Sequence, residues 1–315
     1  MSQMRHDAVF AGSLTKTWRS WWRKTEALRE LTLRIPVGSA FGLLGPNGAG
    51  KTTFVKILIG AVRATAGTAT VFGHEAGSLA ARAMVGYVPE SSLAPLHLTG
   101  TQLIDFQSSL YGMGRGERRR RTAALLEQVG MRQWADVPMR QYSRGMRQRV
   151  CIAAALAHEP RMLILDEPTD GLDPASRREI LELLRRLNRQ QGVTLLVNSH
   201  LLHEVEELCS EVAMLRQGRL VRTGSLAQLR TQAGYTVVLR SERADLEALF
   251  AERGIAALRE AAGTLRLHVV TREELDWTLD LARAAAAQVE ALSRSTHSLE
   301  TIYLTETRPE EEARR

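Results

Sequence analysis

The sequence predicts an α/β protein, a parallel or mixed sheet with crossover helices, followed by a small C-terminal α+β domain. Three observations predict it. The apolar run Ala40-Phe41-Gly42-Leu43-Leu44 enters a glycine-rich loop that opens a helix ending at Gly60. Two further strand-like runs, 162–165 and 194–197, are separated by a helical stretch over 174–191, the alternation that puts crossovers on a parallel sheet. After Gly224 the pattern restarts with short strands at 235–239 and 265–270 and helices at 244–253 and 273–292.

The elements follow in order. Strand-like pieces at 8–10 and 31–35 flank a loop rich in tryptophan and arginine, Trp18-Arg19-Ser20-Trp21-Trp22-Arg23-Lys24. Residues 95–160 are dominated by helical periodicity and form an insert between the first and second strand groups. A first domain over 1–230 and a second over 231–315 are expected, in keeping with roughly two domains for 315 residues. Arg118-Arg119-Arg120-Arg121 opens a helix of the insert and reads as a solvated face. It has no interleaved aromatics and so no nucleic-acid signature.

The loop Gly45-Pro46-Asn47-Gly48-Ala49-Gly50-Lys51-Thr52-Thr53 fits G-x-x-x-x-G-K-[ST] in the strand–loop–helix setting that gives the pattern meaning. Its glycines let backbone N–H groups turn toward phosphate oxygens, and the helix start adds a positive end. Lys51 can reach β- and γ-phosphates, and the Thr52 hydroxyl can ligate Mg²⁺. These residues predict a nucleoside triphosphate site. A second set complements it: Met162-Leu163-Ile164-Leu165 delivers Asp166 and Glu167 to the carboxyl end of a strand, where parallel sheets bind ligands. Asp166 suits the Mg²⁺ side, and Glu167 suits the base that orients or deprotonates water.

Bulk composition narrows the class. A hydrophobic content of 44% supports a packed core. The two cysteines, Cys151 and Cys209, lie in apolar segments and read as small core residues rather than a disulfide. No stretch approaches the roughly 20 apolar residues of a membrane span, and the N-terminus has no signal-peptide pattern, so a cytoplasmic chain is expected. The net charge of +7 comes with far more arginine than lysine and selects no partner.

With these motifs placed, residues 8–230 resemble the nucleotide-binding subunit of ATP-binding cassette (ABC) transporters. Tyr142-Ser143-Arg144-Gly145-Met146 resembles the family's LSGGQ signature, Pro168-Thr169-Asp170-Gly171-Leu172-Asp173 its loop after the catalytic carboxylate, and Asn198-Ser199-His200 its switch-histidine segment. The resemblance implies ATP and Mg²⁺ as cofactors and a head-to-tail homodimer with two buried nucleotides. In that arrangement Ser143 and Gly145 contact the γ-phosphate held by the other copy, His200 contacts the γ-phosphate and water, and Asp173 couples the two sites. It further implies ATP hydrolysis that powers transport through a separate membrane permease, with the chain bound peripherally at the cytoplasmic face.

Two departures from the pattern are visible. Gly86-Tyr87-Val88-Pro89 is followed by Glu90 where the family usually has Gln; Glu90 keeps an oxygen for Mg²⁺ or its water and resembles a branch of daunorubicin-resistance exporters. The signature lacks one Gly–Gln pair, with Arg144 and Met146 in its place. Ser298-Leu299-Glu300-Thr301-Ile302-Tyr303-Leu304 resembles the closing motif of the same branch. By family pattern Trp18 aligns as the aromatic platform for adenine, with Trp21 and Trp22 as alternatives. The competing class is a soluble ABC ATPase without transport. Translation-type ATPases carry two cassettes, and here there is one. Repair-type ATPases need a long coiled coil, which Gly112, Gly114, Gly116 and Gly130 would interrupt.

Overall fold

A computed structural model describes residues 7–294 apart from 20–23, 91–93, 200, 232–234, 244, 254, 256, 260–262 and 270. The chain divides into two compact units, Met1–Gly224 and Ser225–Arg315. Trp21, Trp22, His200 and the motif at 298–304 lie outside the described residues.

The first unit holds two sheets. An antiparallel sheet of order β2-β1-β4-β5 joins β1 (Asp7–Arg19), β2 (Lys24–Pro36), β4 (Ala66–Val71) and β5 (His74–Glu75). The second has the order β10-β9-β3-β8-β7-β6. Its members are β3 (Ala40–Leu44), β6 (Val85–Val88), β7 (Met162–Asp166), β8 (Thr194–Asn198), β9 (Glu211–Arg216) and β10 (Arg219–Ser225). Pairings β3–β8, β3–β9, β6–β7 and β7–β8 are all parallel. Every residue of β3, β7 and β8 is buried, as expected of parallel strands covered on both faces. The core joins the two sheets, with Leu14, Leu28, Leu31 and Ile35 packed in one cluster with Phe41, Phe54, Leu58 and Ile164.

Local signals set the helix ends. α6 (Pro174–Gln191) starts at the Asp173 cap with proline in its first turn and stops at Gly192, whose φ of +67° is the left-handed terminator. Its buried stripe is Ile180, Leu181, Leu183, Leu184 and Leu187. α3 (Gly100–Leu110) opens with a Thr99–Gln102 capping box. α3, α4 (Arg115–Gln128) and α5 (Arg144–Ala155) pack together as the helical insert. The arginine run does not form one solvated face. Arg118 pairs with Asp105 of α3, and Arg121 donates to the Leu156 and Ala157 carbonyls beyond α5 and pairs with Glu159; only Arg119 and Arg120 stay exposed.

The second unit follows a β-α-β-β-α-β path. It comprises β11 (Tyr235–Arg240), α9 (Leu246–Ala251), β12 (Ala257–Arg259), β13 (Thr264–Val269), α10 (Arg272–Ala284) and β14 (Gln288–Arg294), with sheet order β12-β13-β11-β14. Val237, Leu239, Leu265 and Leu267 form its core with Leu246, Phe250 and Leu275. The expected helix over 273–292 is corrected here: it ends at Ala284, Ala286 takes φ +53°, and residues 288–294 pair antiparallel with β11. The helix-favouring alanines carry no boundary of their own, and strand pairing overrides their propensity. Neither Cys151 nor Cys209 is in a disulfide, and burial pushes the Cys209 thiol far up.

Gly86 fixes how closely the insert approaches the sheet. A Cβ at Gly86 would lie 2.3 Å from the Ala155 carbonyl oxygen and 2.6 Å from Leu163 Cδ2. Gly86→Ala should cost about 1–3 kcal/mol through overpacking, or roughly 2–4 °C of melting temperature per kcal/mol. Gly114→Ala, where an added Cβ meets nothing within 4 Å, should leave the melting temperature unchanged. Equal melting temperatures for the two variants would refute this packing constraint.

Candidate functional site

The site is built at the carboxyl edge of the parallel sheet. β3 ends at Leu44 and runs through Gly45–Gly50 into α1 (Lys51–Leu58). Gly50 has φ +108°, and a Cβ there would lie 2.5 Å from the Ala27 carbonyl oxygen, so no larger residue fits this turn. The Ala49 carbonyl accepts from Gly218 N–H at 2.9 Å, which ties the loop to the turn after β9. Pro46, Asn47 and Gly48 are exposed at the loop tip, Thr52 is exposed on the first turn of α1, and Thr53 is half-buried behind it. Lys51 is 6% exposed, and its ammonium donates to the Gly45 and Pro46 carbonyls at 2.6 and 3.3 Å. Burial lowers its proton affinity, while the charges of Glu167 and Asp166 act in the opposite direction.

Strand pairing brings the second half of the site to the same edge. β8 lies between β3 and β7, and Asp166 of β7 pairs in register with Asn198 of β8. Asn198 Nδ2 donates a short hydrogen bond to Asp166 Oδ1. On the other flank, the Tyr87 hydroxyl of β6 donates to Asp166, and burial with that carboxylate pushes the phenol up to about 12. Asp166 is 4% exposed. Burial raises its pKa, the Asn198 hydrogen bond draws it down, Glu90 and Glu167 push it up and Lys51 draws it down. Glu167 follows with φ +48°, and its N–H donates to the Asn198 carbonyl at 2.8 Å. A left-handed backbone at a glutamate is uncommon and turns the chain sharply as the strand ends.

The next loop leads to α6. Asp170 N–H meets the Glu167 carbonyl and Leu172 N–H the Thr169 carbonyl, each at 3.2 Å. The Asp173 carboxylate then caps Ala175 and Ser176 N–H at 3.1 and 3.0 Å. Its bonds to Ser176 come first among the causes that lower its pKa. Arg177 of α6 meets Glu204 of α7 (Leu202–Leu208) at 3.2 Å; Glu204 is 2% exposed, so this pair ties α6 to the helix that follows residue 200.

Asp166 therefore interacts electrostatically with Lys51, Glu167 and Glu90, and Lys51 also with Glu167. Ser143 and Gly145 belong elsewhere, at the start of α5. The Ser143 hydroxyl accepts from Met146 N–H at 3.1 Å, and Gly145 packs against Ser176 of α6. Trp18 in β1 is 43% exposed and has the Lys16 ammonium 4.6 Å from its ring centroid. Tyr87 and Asn198 lie inside segments that resemble family motifs, yet those motifs give them no part in holding Asp166; strand register places them beside it. Asp166 and Glu167 both act on the Lys51 ammonium. Among the described residues no cluster of three or more acidic, histidine or cysteine side chains forms a ready-made metal cage. The oxygen donors Asp166 and Thr52 are of the kind a hard divalent cation such as Mg²⁺ takes together with phosphate oxygens.

Comparison with known proteins agrees with this geometry. Residues 28–170 match the family model described as ABC transporter. The chain is 42% identical over 240 residues to an uncharacterised ABC transporter ATP-binding protein of Synechocystis sp., covering 74% of this chain and 68% of that one. It is 33% identical over 307 residues to the daunorubicin/doxorubicin resistance ATP-binding protein DrrA of Streptomyces peucetius, covering 94% and 91%. Among solved structures it is similar to a dimeric ATP-binding cassette in a post-hydrolysis state bound to ADP and Pi, with TM-score 0.63, 27% identity, and coverage of 69% and 98%.

The balance at Asp166 gives a pH prediction. A carboxyl whose folded pKa is raised destabilises the fold once the pH exceeds the unfolded value of about 4, and has no effect below it. Asp166→Asn should therefore raise the melting temperature of the nucleotide-free protein at neutral pH, with the gain shrinking as pH falls toward about 4. Thermal melts across pH check this. A lower melting temperature at neutral pH would mean that the bonds from Asn198 and Tyr87 outweigh burial.

Proposed function

We propose, for a chain that belongs to the ATP-binding proteins of ABC transporters and is an ATPase, that it powers export through a separate membrane permease by ATP-driven dimerisation. The observation that carries this reading is the sharing of one sheet edge by the Lys51 loop and the Asp166–Glu167 pair.

In this reading the Gly45–Gly50 N–H groups and Lys51 hold the β- and γ-phosphates, and Glu167 orients and deprotonates the attacking water. Thr52, Asp166 and Glu90 would hold Mg²⁺, which when bound neutralises phosphate charge. The Ser143 hydroxyl and Gly145 N–H of one copy meet the γ-phosphate held by the other, with Asp173 beside them and His200 as the switch residue. Trp18 offers the open face of its indole to adenine. The dimeric cassette among the similar structures supports this assembly.

Support for a membrane partner comes from three sources. Among the described residues no helix is long and apolar enough to cross a membrane, and in this reading the membrane path belongs to the permease. A groove of about 360 Å³ beside Glu90 is lined by Tyr87, Pro89, Leu103, Gln107, Tyr111 and His158. α3 adds exposed Phe106 and Leu110 next to it, an apolar face suited to a helix from the permease. The resistance function in the name of DrrA supports export as the direction.

Light scattering on Glu167→Gln, with and without Mg-ATP, tests the assembly. Turnover should fall roughly 10²–10⁴-fold while ATP converts monomer to dimer. A monomer that binds ATP and never associates would favour a soluble regulator instead. Lys51→Ala should abolish ATP binding by the folded protein, and unchanged affinity would sink the site assignment.

A further inference from the structure

We propose that Arg144 places its guanidinium on the terminal phosphate of a nucleotide held by a second copy of this chain. This assignment rests on the trans assembly proposed above and extends it to a residue that departs from the signature pattern.

Arg144 opens α5 and is exposed. Among the described residues its side chain makes no hydrogen bond and no ion pair, whereas Arg149 on the same helix pairs with Glu179 of α6 at 3.3 Å. Its side chain is nevertheless placed. A Cβ at Gly171 would lie 2.1 Å from Arg144 Nη1, 2.7 Å from Cζ and 2.9 Å from Nη2. The guanidinium thus lies over Gly171, in space that any side chain at that position would fill. Gly171 has φ +64°, so its backbone also favours glycine.

The base beneath this arginine is firm. A Cβ at Gly145 would lie 2.6 Å from Ser176 Oγ and 2.7 Å from Ser176 Cβ, so the first turns of α5 and α6 are in direct contact. The Asp173 carboxylate at the head of α6 is committed to Ala175 and Ser176 N–H, and no ion pair joins Arg144 to Asp173 or to Asp170 beside Gly171. What remains is a planar, five-donor cation between Ser143 and Gly145 with no ion-pair partner among the described residues, held over Gly171. Such a fork matches phosphate oxygens two at a time. Arginines supplied from a second polypeptide stabilise charge on a transferring phosphoryl group.

The test uses full-length Glu167→Gln protein with Mg-ATP. Arg144→Gln keeps helix propensity and removes the charge; Arg144→Lys keeps the charge and removes the fork. Arg144→Gln should weaken ATP-induced dimerisation at least tenfold and flatten its dependence on NaCl, with Arg144→Lys intermediate. Mixing separates the two copies' roles. Arg144→Gln chains mixed with Lys51→Ala chains form one composite site with an intact phosphate loop and an intact Arg144. A Lys51→Ala, Arg144→Gln double variant mixed with the Glu167→Gln parent forms none. Counted as heterodimer through different affinity tags on the two chains, ATP-dependent association should recover in the first mixture and not in the second. Equal recovery in both, or an Arg144→Gln dimer indistinguishable from its parent, overturns the assignment of Arg144 alone. A Glu167→Gln parent that binds ATP without dimerising overturns the trans assembly and this proposal together.

Discussion

The site depends on one constraint: a buried ammonium and a buried carboxylate must face each other across the carboxyl edge of a parallel sheet. Lys51 and Asp166 are both almost fully buried, and burial disfavours the charged form of each. Their mutual attraction, the loop carbonyls on Lys51 and the hydrogen bonds on Asp166 offset that cost in part. Such an edge is strained for stability and suited to a ligand that brings both negative phosphates and a cation.

Parallel register makes the constraint achievable. β8 sits between the strand that leads into the phosphate loop and the strand that ends at Asp166, so Asn198 is automatically beside Asp166. The same residue accepts the Glu167 N–H through its carbonyl. One position in β8 therefore orients two consecutive carboxylates, one through its side chain and one through its backbone. The left-handed Glu167 then starts the turn sequence that delivers Asp173 to the head of α6. From there the Ser176–Gly145 contact carries position onward to α5. Chemistry and assembly surfaces are thus joined by a short path of close backbone contacts.

Much of the fold was legible because its signals are local. The phosphate loop needs glycines at a fixed spacing, and the Asp166–Glu167 pair ends an apolar run long enough to be a strand. The Asp173–Pro174 start and Gly192 stop bracket α6 without reference to anything distant. Errors fell where local signals compete with distant ones. The alanine-rich stretch at 284–287 has high helix propensity, yet β11 recruits residues 288–294 as a strand. The four consecutive arginines look alike in sequence, but helix geometry turns Arg118 and Arg121 toward partners and leaves Arg119 and Arg120 in solvent.

The sequence by itself determined that a triphosphate loop, a pair of carboxylates and an α/β scaffold occur together, since each is encoded by adjacent residues with defined backbone requirements. Only the tertiary structure decided that Tyr87 and Asn198 flank Asp166, that Arg177 secures the buried Glu204, and that Arg144 rests over Gly171. Those relations join residues far apart along the chain. The physical reason is that strand register and helix packing are set by the whole core, so a residue's neighbours across the sheet are not written in its neighbours along the chain.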